Sequence, residues 1–348
     1  MGATETEQEG GSRRVTLAEI AEQANLSLAT VSKVLNGRTD VSAATRTRVE
    51  QLLNDHGYLR RSPSVGTGIA RTVELVFHEL DSEFAIEIIR GVERATRATG
   101  VSMILTESGD RHTPGPGWID GVLRRRPLGV ILVFSTLTDA EKQKLHSRGV
   151  NFVVVDPSGE PDADVASIGS ANWAGGFAAA KHLIDLGHKR IAMVAGPEDM
   201  LCSIARVDGY RSALERAGIG FDPELVRVGD FHVVGGQRGA EELLDLPEPP
   251  TAIFAGSDLQ AFGVYEAARV RGLRVPEDLS VVGYDDLTIA RWAGPPLTTI
   301  RQPLTEMAET ATRLLFEMNE HPDGARNQRI DLATSLVVRE STRPPRTR

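Results

Sequence analysis

The sequence predicts an α/β chain: a three-helix helix-turn-helix head followed by a body of two parallel-sheet α/β lobes. The first observation is residues 16–36, TLAEIAEQANLSLATVSKVLN, where apolar residues recur twice at helical spacing with almost no loop between. The second is that from residue 72 onward short β-branched runs alternate with helical stretches in two successive series, the pattern of parallel sheets covered by helices on both faces. Length agrees, since 348 residues exceed one small domain and suit a head plus two lobes.

In the first helix Leu17, Ile20, Ala21 and Ala24 share a face, while Glu19, Glu22 and Gln23 face away. Thr16 and Glu19 are spaced as a capping box, each side chain reaching the other's backbone N–H. Asn25 tolerates the left-handed backbone that ends a helix, Leu26 supplies a buried turn residue, and Ser27 can cap the second helix. There Val31, Val34 and Leu35 face inward, leaving Ala29, Ser32, Lys33 and Asn36 as a small, polar and basic outer stripe. Such a stripe fits a DNA major groove, with hydroxyls and Lys33 reaching bases or phosphates. A helical hairpin inside a larger helical core is the plainer alternative. A third helix is expected over residues 41–58, capped by Ser42, burying Val49, Leu52 and Leu53, and ended by Gly57 with Tyr58 folding back.

These residues carry a resemblance. VTLAEIAEQANLSLATVSKVLNG followed by VSAATRTRVEQLLNDHGY is similar, without a gap from residue 15 to residue 58, to the DNA-binding head of the lactose-repressor (LacI/GalR) family of bacterial transcription regulators. The resemblance implies a sequence-specific regulator that binds double-stranded operator DNA as a homodimer. It places Ser27, Leu28, Ala29, Thr30, Ser32, Lys33 and Asn36 at recognition-helix positions, with Leu28 and Ala29 where the operator sequence is chosen. Thr16, Thr45 and Tyr58 match backbone-contacting positions, and Leu17 joins the DNA-binding set. Leu28 and Ala29 are too apolar for bidentate hydrogen bonds to a base, so they are expected to read methyl groups and permit close approach.

Charge divides the chain as a DNA binder requires. The formal net charge is −9, yet residues 12–61 carry eight Arg/Lys against five Asp/Glu, and the first eleven residues hold three glutamates, leaving −9 on residues 62–348. Positive charge sits where phosphate would sit. Residues 1–13 read as a disordered tail without the basic start or apolar core of a secretion signal. No apolar run approaches a membrane span, so a soluble protein with no membrane partner is expected. The single cysteine, Cys202, excludes an internal disulfide and a thiol metal cluster and agrees with a reducing, cytoplasmic location.

The head is expected over residues 14–59 and a linker over 60–70. Here the family pattern breaks: relatives carry Pro-Asn and an alanine-rich turn ending in leucine, forming a hinge helix that wedges into the minor groove, whereas this chain reads LRRSPSVGTGIA, with Thr67 at the leucine position. Gly66 and Gly68 each disfavour helix by about 1 kcal/mol relative to alanine, so a modest switch is expected. Val65 or Ile69 could stand in as the wedge.

The body is expected over residues 71–342, with a short tail at 343–348. Its first series runs VELVF, a helix over 84–99, VSMIL, a helix over 118–125, GVILVF, a helix over 139–147, then FVVVD. Its second runs through helices over 171–186, 204–217, 236–246 and 258–270, separated by RIAMVAG, a strand over 226–228, TAIFAG and LSVVGYDD. HLIDLGHKRIAMVAGP, ARVDGY, LSVVGYDD and PPLTTIRQP extend the resemblance to the family's body, which is similar to a periplasmic sugar-binding protein. That fold implies lobe 1 at about 71–170 and 301–332, and lobe 2 at about 171–300 and 333–342.

Ligands of open parallel sheets bind beyond the carboxyl ends of strands. Carboxylates and guanidinium groups placed there suit sugar hydroxyls, and Phe84, Phe231 and Trp292 could stack on a sugar ring. The resemblance places Asp156, Arg206, Phe231, Ser257, Asp285 and Gln302 at effector contacts. Plainer alternatives stand beside these: Ser257 as a helix cap, Asp286 as a turn residue, and Trp292 as core beneath Pro295 and Pro296. No phosphate loop and no His/Cys metal cluster appears, so no cofactor, no metal and no catalysis are expected. His78, His146, His182 and His188 read as surface or packing residues. A purine or other small ligand, or a solute-binding role without DNA, are the alternatives to a sugar-responsive regulator. The terminal STRPPRTR lacks apolar heptads, so no tetramerising coiled coil is expected.

Overall fold

The computed structural model describes residues 16–35, 41–55, 71–80, 82–109, 117–134, 137–157, 159, 164–321 and 327–346. The chain forms two compact units, Met1–Ile69 and Ala70–Arg348. Asn36, Tyr58, the first tail and the whole 60–70 linker, with its proposed wedge residues, lie outside the described residues.

In the first unit α1 (Leu17–Gln23), α2 (Leu28–Leu35) and α3 (Ala43–Asp55) enclose a small core of Ile20, Ala21, Ala24, Val31, Val34, Val49 and Leu53. The Thr16–Glu19 capping box is present in both directions, at 2.6 Å and 3.3 Å. Asn25 adopts φ 51°, which lets α2 follow with only a short turn. Ser27 and Ser42 each accept from the backbone N–H three residues on, at 3.1 and 3.2 Å, starting α2 and α3.

In the second unit the first series is β1 (Thr72–Phe77), α4 (Glu83–Thr99), β2 (Ser102–Glu107), α5 (Trp118–Arg125), β3 (Gly129–Val133), α6 (Asp139–Ser147), β4 (Asn151–Val155) and β5 (Ser167–Ser170). The second is α7 (Asn172–Asp185), β6 (Ile191–Ala195), α8 (Leu201–Arg216), β7 (Val226–Val228), α9 (Val233–Leu244), β8 (Ala252–Ala255), α10 (Asp258–Val270), β9 (Ser280–Asp285) and β10 (Thr298–Arg301). The chain then returns through α11 (Leu304–Glu320) and β11 (Arg329–Leu332) and ends on β12 (Ser335–Val337). One sheet has the order β11-β5-β4-β3-β1-β2 and the other β12-β10-β9-β8-β6-β7. Only the β10–β12 pair is antiparallel among the described strands. The chain passes between sheets at three places: Ala171, Gln302–Pro303, and residues 333–334.

The central strands β3, β4, β6 and β8 are buried along their whole length, as strands covered on both faces must be. Alternation as read from sequence omits β5, β10, β11 and β12, all of four residues or fewer and too short to show a period. It also omits α11, although Leu304, Met307, Ala308, Ala311, Leu314, Leu315 and Met318 form a full buried helical stripe. Residues 343–346, expected as tail, are held along the second lobe: the Arg343 carbonyl accepts from buried His188 at 2.9 Å, and Arg346 pairs with Asp278 at 2.6 Å.

Candidate functional site

The head presents one open face on α2. Leu28 is 52% exposed and Ala29 and Lys33 are exposed, while Val31 and Val34 on the opposite side are buried. Thr30 and Ser32 are half-buried at the edges of that face. Thr16 sits exposed at the start of α1, and Thr45 lies at the start of α3 with its hydroxyl 2.8 Å from Ser42 Oγ. Leu17 packs half-buried against the head core.

In the body a cavity opens between the lobes, about 760 Å³ with its open mouth included. Lobe 1 contributes His78 and Glu79 beyond β1, the start of α4 and Phe134 beyond β3; Phe84 and Phe134 stack at 4.8 Å as an apolar wall. Lobe 2 contributes Cys202 and Arg206 from α8, Phe231 beyond β7, Ser257 beyond β8 and Asp285 at the end of β9. Five non-glycine residues at or just beyond strand ends, Phe134, Asp156, Phe231, Asp285 and Asp286, have positive φ. Left-handed backbone is rare for such residues, and its concentration here marks a surface shaped for something other than stability.

Arg206 organises the cavity. It is 3% exposed, donates from Nε to Asn172 Oδ1 at 2.8 Å and from Nη1 to the Gly256 carbonyl at 2.6 Å, and lies 3.8 Å above the Tyr284 ring. Burial opposes its charge, but Tyr284, Cys202, Asp285 and Asp156 around it raise its pKa overall. Gly176 makes this seat possible: a Cβ there would collide with the Arg206 backbone where α7 crosses α8.

The carboxylates are strained in the same low-dielectric setting. Burial pushes Asp285 up to about 6 against the pull of Arg206, while Gln302 Nε2 donates to its Oδ1 at 2.6 Å. Gln302 in turn accepts from Ser170 at 2.5 Å, tying two of the inter-lobe passages together. Burial likewise pushes Asp156 up to about 6, and its Oδ2 has no partner. Asp258 is raised further; it anchors Thr299 Oγ1 and the Leu287 N–H rather than facing a ligand.

Phe84, Arg206, Phe231, Ser257, Asp285 and Gln302 thus meet in one cavity. Asp156 lines instead an adjoining chamber with Asn172, Trp173 and Asp331, and Cys202 borders both. Trp292 is a correction: it is 82% exposed and lines neither chamber, because the 3₁₀ turn Thr288–Arg291 buries Ala290 and throws the next residues outward. Nor is it core beneath the prolines, where Tyr265 donates to the Pro295 carbonyl at 3.0 Å. Ser257 does cap α10, accepting from Gln260 N at 3.1 Å, and also donates to the Phe231 carbonyl at 2.9 Å, so it holds Phe231 in place. Asp286 points away and pairs with Arg301 and Arg339.

Sequence reasoning missed Tyr284 as the platform under Arg206, Asn172 as its partner, and the Glu79–His232 contact of 3.6 Å that spans the lobes. No spacing signal links these residues, which come from different elements. His78 lines the cavity, whereas His188 is buried between Thr251 and Ser280 as packing. No helix among the described residues is long and apolar enough to cross a membrane.

Known proteins place this architecture. Residues 16–61 match the lacI family of bacterial regulatory proteins, and residues 180–342 match the periplasmic binding protein-like domain. The HTH-type transcriptional repressor CytR of Escherichia coli (strain K12) is 34% identical over 331 residues, covering 94% of this chain and 96% of the relative. A solved transcriptional regulator CelR–cellobiose complex is 36% identical with a TM-score of 0.70, covering 94% of this chain and all of that one. The lac repressor dimer bound to operator and the anti-inducer ONPF is 27% identical with a TM-score of 0.69, covering 95% and 100%. With a helix-turn-helix head, a two-lobed body and relatives aligned along nearly its whole length, this chain belongs to the lacI family of bacterial regulatory proteins.

Proposed function

We propose that the protein is a homodimeric transcriptional repressor whose affinity for a roughly palindromic operator falls when a small sugar or oligosaccharide binds between the lobes. The observation that carries the reading is Arg206, a buried guanidinium with donors to spare, facing Asp285 in a cavity walled by Phe84, Phe134 and Phe231. A sugar hydroxyl can donate to Asp285 and accept from Arg206, while an apolar sugar face rests on the aromatic wall. The neighbour solved with cellobiose supports this ligand class, and the adjoining chamber with the unpartnered Asp156 oxygen gives room for a second ring.

The head reads DNA through Leu28, Ala29 and Lys33, with Thr16 and Thr45 toward the backbone, and two-fold symmetry in protein and operator sets one head per half-site. Ligand contacts from both lobes favour one arrangement of the lobes over another, and only that difference in affinity can be passed to DNA, about 1–3 kcal/mol in typical switches. The test is selection of an operator from random DNA, followed by titration of the complex with sugars and purine nucleosides. Release by a sugar supports the reading; release by a nucleoside alone refutes the ligand class.

A further inference from the structure

Residues 62–348 carry a formal charge of −9, so a place in the body where arginines outnumber carboxylates is unusual. On lobe 1, α5 runs into three successive arginines. The middle one is a structural residue: Arg125 Nε donates to Glu74 Oε2 at 3.1 Å, and its guanidinium pairs with this fully buried carboxylate of β1. Arg124 and Arg126 on either side are exposed and line an open pocket with Arg148, the residue that ends α6.

That pocket measures about 820 Å³ with its mouth included, and Leu123 and Asp120 complete its lining. Among the described residues, none of the three side chains makes an ion pair or hydrogen bond. Asp120, the sole carboxylate in the lining, lies 3.9 Å from Lys144 Nζ, so its charge is already matched. Three guanidinium groups therefore share one pocket lining with a single carboxylate. The helix macrodipole accounts for a cation at the end of α5 and another at the end of α6, but not for all three lining one pocket. Arg126 is also held in left-handed backbone, φ 51°, where a non-glycine residue is uncommon.

We propose that this pocket binds the phosphate dianion of a small phosphorylated metabolite, as a second ligand input separate from the inter-lobe cavity. Three guanidinium forks need several acceptor oxygens at once, which a phosphate monoester supplies and a single carboxylate does not. Leu123 adds an apolar contact beside the arginines, which suits the carbon skeleton of a small ester.

The test is calorimetry on the full-length protein at low salt with inorganic phosphate and glucose 6-phosphate as probes. Both should bind in competition with each other, and Arg124→Gln or Arg148→Gln should weaken binding about tenfold or more while leaving the unfolding midpoint unchanged. Arg148→Lys should restore part of the affinity, because charge is kept and the fork is lost. The absence of binding at about 10 mM probe, or equal binding by the glutamine variants, would overturn the proposal. Binding that disappears in Arg206→Ala but persists in Arg124→Gln would place the ester in the inter-lobe cavity instead. Loss of operator affinity in Arg124→Gln and Arg148→Gln, with no ester binding, would assign these arginines to DNA phosphates and equally refute the pocket.

Discussion

Replacing Asp285 by Asn should make the body more stable at neutral pH while abolishing its response to sugar. The carboxylate is buried, and its pKa rises from the ordinary 3.8 to about 6 because desolvation outweighs Arg206 and the Gln302 hydrogen bond. That rise corresponds to about 3 kcal/mol against the charged form once pH exceeds 6. Below pH 3.8 both folded and unfolded chains hold the proton and nothing is lost. Between 3.8 and 6 the folded chain keeps a proton that the unfolded chain has released, so stability declines as pH rises through this window. Asparagine resembles the protonated acid and still accepts from Gln302 Nε2 through its Oδ1. Asp285→Asn should therefore gain about 1–3 kcal/mol at pH 7.5, the lower end reflecting the Arg206 charge left with Asp156 alone, and little at pH 4. Urea unfolding followed by tryptophan fluorescence reads the body selectively, since Trp118, Trp173 and Trp292 all lie in the second unit. The decline between pH 4 and 6 should shrink without vanishing, because Asp156 is raised in the same way. A variant less stable than wild type at pH 7.5, or one with an unchanged pH slope, would show that Asp285 is held by its partners rather than penalised by burial.

Arg206→Ala should cost about 3–5 kcal/mol, because Asp285, Asp156, Asn172 and the Gly256 carbonyl lose their cation or donor; operator binding should survive while ligand-induced release is lost, and wild-type release in a gel-shift titration counts against the cavity. Ala29→Gln should change base preference at one position per half-site, and Lys33→Ala should weaken binding at most sequences, both read by selection from random DNA; an unchanged Ala29→Gln profile argues against α2 as the reader. Gly176→Ala should lose about 1–3 kcal/mol in urea by forcing α7 away from the Arg206 backbone, and a neutral result would mean the two helices separate freely.

The sheets were readable because parallel strands buried on both faces must be continuous apolar runs, and β3, β4, β6 and β8 are written that way. The connections that make the body two-lobed were not. They rest on β5, β10, β11 and β12, strands too short for alternation to show, and were approachable only through resemblance. The head was legible residue by residue since its caps act over three residues and its core over seven, distances that a sequence displays directly.

The candidate cavity divides along the same physical line. The rule that ligands sit beyond the ends of parallel strands reached Asp285, Ser257 and Phe231 because each lies at a strand end or within three residues of one. Trp292 stands apart from that rule, as an aromatic able to stack on a sugar ring, and its sequence cannot reveal whether a short 3₁₀ turn will face it inward or outward. The electrostatics were out of reach altogether. Asp156 and Asp285 belong to different sheets, Arg206 to a helix between them in sequence, and Tyr284 to the strand beneath; no local period relates the four. Their burial around one guanidinium follows from Gly176 and Gly209, which let α7 and α8 approach closely enough to bring Asn172 against Arg206. The charge within the cavity is thus set by two positions that carry no side chain, so substitutions there should alter the proposed ligand response without changing any of the charged groups that line it.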